Sequence, residues 1–137
     1  MIDARLNGPE PLITYTPHTE QWALKTPLDV TVGGIRFIVP PDFITDLASS
    51  PRVAWIAEAP YELGLVAPIV HDWLYRHGGA IITPSGKYVP GVITRRQADQ
   101  ALYKLAAAEG VWWWRRAAAY RAVRWFGARN WRATGAD

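Results

Sequence analysis

Short β-rich runs come first in this chain, and apolar residues at helical spacing come later. LITYT (12–16) and WALKT (22–26) each read as a short strand. LDVTV (28–32) and IRFIV (35–39) flank Gly33-Gly34. A two-residue glycine turn between two such runs predicts a hairpin, because these turns need positive φ and glycine adopts it freely. Pro40-Pro41 ends the second strand, since proline has no N–H to give to the ladder. DFITDLASSPR (42–52) is dense in residues that bond their own backbone and reads as a structured loop, followed by a short helical turn over VAWIAEAP (53–60).

Three helices are predicted after that. The first covers roughly Leu63 to His77, with Gly78-Gly79 as its stop. A loop turning at Pro84-Ser85-Gly86 and a β-rich KYV (87–89) follow. The second helix starts at Thr94, which forms a capping box with Gln97, and ends at Gly110. The third runs from about Val111 to Arg129 and bends near Gly127. Strands first and helices afterwards predict an α+β fold: a small N-terminal antiparallel sheet, then three C-terminal helices, in a single domain over 1–137.

The third helix carries more aromatic surface than one face can bury. Trp113, Tyr120 and Gly127 repeat every seven residues, and with Trp112 and Val123 they are predicted to face the core, although Arg116 falls inside the stripe. Trp114 and Trp125 fall on another side, among Arg121 and Arg132. That second face suits a partner subunit, a membrane surface, or arginine stems laid over tryptophan rings. Nucleic acid is the weakest partner, because no known binding motif is present.

Composition narrows the chemistry. Without cysteine there are no disulfides, thiolate metal sites or cysteine nucleophile. The net charge of +3 is mild, but from Val111 onward six arginines face one acid, Asp137. MIDARLNGPEP has no apolar segment of the kind a secretory signal needs, and no apolar run approaches the roughly 18 residues of a membrane span.

The candidate chemistry lies in HDWLYR (71–76) and RRQADQALY (95–103). His71 and Tyr75 share one helix face at i, i+4, and Asp72 and Arg76 share the next. Arg95, Asp99 and Tyr103 repeat that spacing on the second helix. If the two helices pack antiparallel, Asp99 reaches the imidazole of His71. It then fixes the tautomer and leaves the other ring nitrogen to act as base. Asp72, with Asp46, is the candidate pair for a cation, and a hard cation with oxygen ligands suits them better than a transition metal. The structural alternative stays open: Arg52, Arg76 and Arg95 are counter-ions for Asp46, Asp72 and Asp99, and such a network can fix packing without catalysing anything. Asp46 and Ser49 also suit turn-making and capping, and no G-x-S-x-G elbow surrounds Ser49 or Ser50. His18 and His77 read as surface residues.

HDWLY with Asp99 resembles the secretory phospholipases that use calcium and a His–Asp pair, including the small phospholipase domains of parvovirus capsids. That resemblance implies that His71 activates a water, Asp99 orients it and Asp72 ligates Ca2+. The upstream run PYELGLVAP has one glycine, Gly64, where that family's calcium loop is glycine-rich. A second resemblance covers almost the whole chain. VPPDFITDLASSPR (39–52), IVHDWLYR (69–76), TRRQADQAL (94–102) and AVRWFGARNW (122–131) are similar, in order, to a family of small proteins of tailed bacteriophages and prophages. Its pattern is a T-D-x-x-S-x-P-R loop, an H-D-x-L-Y-R helix, an R-x-x-A-D helix and a closing aromatic helix, and its function is unassigned. This implies phage origin, a virion, tail or late-assembly role in the host cytoplasm or the virion, and other phage structural proteins or further copies of the chain as partners of the last helix.

Overall fold

The structure is a computed structural model that describes residues 1–18, 21–45 and 66–132. Asp46, Ser49, Ser50, Arg52 and the helical turn expected over 53–60 lie outside the described residues, as does the start expected for the first helix. In chain order the described elements are β1 (Ala4–Leu6), β2 (Ile13–Thr16), β3 (Gln21–Leu24), β4 (Leu28–Val32), β5 (Ile35–Val39) and β6 (Ile44–Thr45), then α1 (Val66–Arg76), β7 (Ile81–Ile82), β8 (Tyr88–Val89), α2 (Arg95–Ala108), α3 (Trp113–Phe126) and a 3₁₀ turn (Gly127–Asn130). The fold is α+β: small antiparallel sheets, then three helices.

Two three-stranded sheets form, in the orders β1-β4-β5 and β2-β3-β6, with β7-β8 as a separate hairpin. The Gly33-Gly34 turn joins β4 to β5 with Val32 opposite Ile35, and both glycines have positive φ. Alternation along these strands sends Leu28, Val30, Phe37 and Val39 into the core. On the other face Asp29 takes two bonds from Arg36, at 3.0 and 2.6 Å. These bonds from Arg36 hold the Asp29 carboxyl below its ordinary value.

The helices close over this sheet. α1 buries Val66, Ile69, Val70, Trp73 and Leu74, and α2 buries Ala98, Ala101, Leu102, Leu105 and Ala106, both at i, i+3, i+4, i+7, i+8. The two run antiparallel, which their end contacts show. At the C-terminal end of α2 the Glu109 carboxylate accepts from Val66 N (3.2 Å) and Ala67 N (2.9 Å), two of the orphan donors of the first turn of α1. At the start of α2 the capping box is present: Gln97 N donates to Thr94 Oγ1, and Thr94 N donates to the Gln97 side chain.

α3 departs from its expected face. Trp112 and Trp113 are exposed, at 69% and 65%, whereas Val123 and Gly127 are buried as expected and Ala119 joins them. The reason is local. Val111 enters the core just before the helix, and the next inward contact comes one turn into it, at Arg116. The Arg116 guanidinium lies over the Tyr103 ring (5.1 Å) and donates to Val111 O (2.7 Å). The helix gives way to the 3₁₀ turn at Gly127. His77, expected at the surface, is half-buried, stacked on Trp73 at 3.8 Å and edge-on to Tyr88. His18 is exposed, as expected.

Gly79 ends α1 at φ +82, and a Cβ there would stand 1.7 Å from Ile93 O. Its own carbonyl takes the N–H groups of Val92 and Ile93 at 3.0 and 2.9 Å, which pins the segment leading into α2. Gly34 has a similar φ of +81 with open space around it. Gly34→Ala should therefore cost only the left-handed penalty, about 1 kcal/mol. Gly79→Ala should cost roughly 3 kcal/mol or more, because backbone must also move. Urea unfolding of the two variants checks the difference, and equal losses would contradict it.

Candidate functional site

The polar centre forms where α1, α2 and α3 meet. Asp99 is the deepest group in it, with no solvent exposure. α2 places it beside the apolar stripe, one position along from Ala98, where packing against α1 and α3 covers it. Burial alone would push this carboxyl up. Donors on α1 and α3, His71 first and then Tyr75 and Arg124, outweigh that and hold it below its ordinary value. His71 Nε2 lies 2.8 Å from Oδ1, Tyr75 OH donates to Oδ1 at 2.5 Å, and Arg124 Nη1 donates to Oδ2 at 2.8 Å. Arg95 Nη1 stands 3.7 Å from Oδ2, one turn back on the same helix. An ionised carboxylate can only accept. Nε2 of His71 therefore carries a proton toward Asp99, and in the neutral imidazole that leaves Nδ1 with its lone pair.

His71 itself is not sealed in. Its side chain is 14% exposed, and Nδ1 has no hydrogen-bond partner among the described residues. The imidazole is also held by the Tyr75 ring, 4.2 Å away. Tyr75 is clamped in turn. Trp131 packs edge-on against it at 5.2 Å, Arg132 N donates to its carbonyl (3.0 Å), and a Cβ on Gly127 would come within 2.7 Å of its hydroxyl oxygen. Burial first, and then the bond to Asp99, raise the Tyr75 hydroxyl well above its ordinary value, so it stays a donor. Arg95 also ties the far side together, donating to Val123 O at 3.0 Å and Arg124 O at 3.4 Å.

Of the residues singled out in the sequence, His71, Asp99, Tyr75 and Arg95 come together. Asp72 and Arg76 lie apart on the neighbouring face. Arg76 Nε stands 3.2 Å from Asp72 Oδ1, and Arg76 Nη1 donates to Ile44 O at 2.7 Å. The described residues do not furnish a calcium site. Among them no group of three or more His, Asp or Glu converges, and Asp72 is paired with Arg76. A hard cation needs six to eight oxygen ligands. Asp46, Ser49 and Arg52 lie outside the described residues. Arg124 was not anticipated. Its signal was its place beside Val123 and Gly127, on the edge of the buried stripe of α3 rather than among the solvent-facing arginines.

Residues 22–123, most of the chain and all of the Asp99 centre except Arg124, match the family described as "Protein of unknown function (DUF1353)". The chain belongs to that family. No curated protein and no solved structure matches it.

Asp99→Asn would leave Arg124 and Arg95 facing a neutral group. It should destabilise the fold by about 2 to 4 kcal/mol at neutral pH. The pH dependence has a defined sign. Unfolded, the carboxyl titrates near 3.9, and folded it titrates lower. The stabilisation is therefore complete above about pH 4 and is lost as pH falls through the folded value. Urea unfolding of parent and Asp99→Asn across this range should show two curves that converge in acid, and a constant gap would contradict the assignment.

Proposed function

We propose that this chain is a phage-encoded hydrolase in which His71 is the general base and Asp99 its orienting carboxylate. One observation supports it above others. His71 gives one ring nitrogen to a buried, ionised carboxylate and keeps the other, Nδ1, without a partner among the described residues, on a side chain that reaches solvent. This is the arrangement a base needs: fixed tautomer, fixed ring and an available lone pair.

With an ester as substrate, the cycle balances without a resident metal. Nδ1 takes a proton from water as the water oxygen bonds to the ester carbonyl carbon. The imidazolium then returns that proton to the leaving alkoxide as the carbon–oxygen bond breaks, giving acid and alcohol. Asp99 stays ionised throughout and steadies the imidazolium. The four motifs shared in order with tailed-phage proteins support phage origin, and with it a place in the virion, the tail or late assembly.

A specific observation favours a second reading. Asp99 takes hydrogen bonds from α1 and α3 and has Arg95 of its own helix 3.7 Å away, which is what a purely structural knot in an assembly module requires. His71→Ala separates the two, because it leaves Asp99 with Tyr75, Arg124 and Arg95. The assay is ester release from anionic phospholipid mixed micelles in the presence of a chelator. The expected result is turnover by the parent and a loss of roughly 10²-fold or more in His71→Ala, with a modest change in melting temperature. An inactive parent, or a variant as active as the parent, would reject the hydrolase.

A further inference from the structure

We infer that the outer face of α3 is a docking surface for an anionic lipid bilayer. Trp114 and Trp125 are 49% and 72% exposed. They are eleven residues apart, which on a helix is three turns and nearly the same direction, about 16 Å along the axis. Ala118, Arg121 and Ala122 lie between them on that face, and Arg121 is exposed. The opposite face is the one that meets α2, through Ala119 and Val123. Trp112, Trp113 and Phe126 are exposed too, at the two ends of the helix and off this face.

The charge on this surface selects the occupant. Residues 110–132 hold six arginines and no acid. Arg124 and Arg116 turn inward, to Asp99 and Val111 O. Arg121 and Arg129 are exposed. A second copy docked face to face would press two acid-free, arginine-bearing surfaces together. A bilayer rich in anionic lipid meets both demands at once: tryptophan rings settle at the level of the headgroups, and arginine reaches lipid phosphate. The short helix would lie in the plane of the surface, and no described helix is long and apolar enough to cross it. This inference does not depend on the hydrolase reading, since docking requires no turnover.

Vesicle flotation tests it, using the whole chain with vesicles of phosphatidylcholine alone and vesicles rich in phosphatidylglycerol. The parent should float with the phosphatidylglycerol vesicles, and added salt should weaken the association. The double variant Trp114→Ser/Trp125→Ser should bind roughly tenfold more weakly or less, with an unchanged circular dichroism spectrum, because both rings are outside the core. Arg121→Gln should cost roughly fivefold. A parent that stays with the soluble fraction, or a double variant that floats as the parent does, overturns the inference. So does a parent that ignores vesicles but self-associates, or retains a short oligonucleotide, through Trp114 and Trp125.

Discussion

A carboxylate taken fully out of water must be given donors, and in this protein the arrangement of three helices follows from how Asp99 receives them. No single helix could supply enough. α1 brings an imidazole and a phenol, α2 brings an arginine one turn behind, and α3 brings another from across the interface. Each donor sets the rotation of the helix that carries it. Glu109 sets the remaining degree of freedom. By taking the first N–H groups of α1 it fixes how far α1 slides along α2, and so brings His71 level with Asp99. Apolar packing between α1 and α2 would tolerate small shifts along the axis, whereas a 2.8 Å hydrogen bond to a buried carboxylate and a two-point cap would not.

The same constraint explains smaller features. Gly127 is glycine because Tyr75 needs the space above it to reach Asp99, not because the backbone there is unusual. Trp131 follows so that Tyr75 has an apolar wall. α3 thus has two jobs on opposite sides. Its inner edge delivers Arg124 to the buried charge, and its outer face holds tryptophan and arginine at the surface. One short helix links the polar centre to whatever that face meets.

Local chemistry was readable where neighbours in sequence are neighbours in space. The Gly33-Gly34 hairpin, the Thr94–Gln97 box and the Gly78-Gly79 stop each depend on a few adjacent residues, and each stands where expected. The His71–Asp99 contact was reachable from i, i+4 spacing on two helices whose connection lets them pack antiparallel, and the pairings of Arg76 with Asp72 and Arg95 with Asp99 followed from charge. What escaped depends on distant partners. β1 is three residues long with no β-rich run, and it exists because β4 offers it an edge. β7 needs β8 in the same way. Trp113 was placed inward because a seven-residue repeat does not reveal where a helix first meets its neighbour. The place of Arg124 beside Val123 and Gly127 marks it as an edge residue of the buried stripe, but the acid it meets lies on another helix.

Asp99, ionised and buried, holds the proton of the neutral His71 ring on Nε2 and leaves Nδ1 as a bare acceptor. Nitrogen-15 chemical shifts of the His71 ring, in protein labelled at histidine and kept at neutral pH, test it most directly. The expected spectrum has a protonated Nε2, shifted by its bond to a carboxylate, and an unprotonated Nδ1. A proton resident on Nδ1 would contradict the claim, and with it the use of His71 as a base.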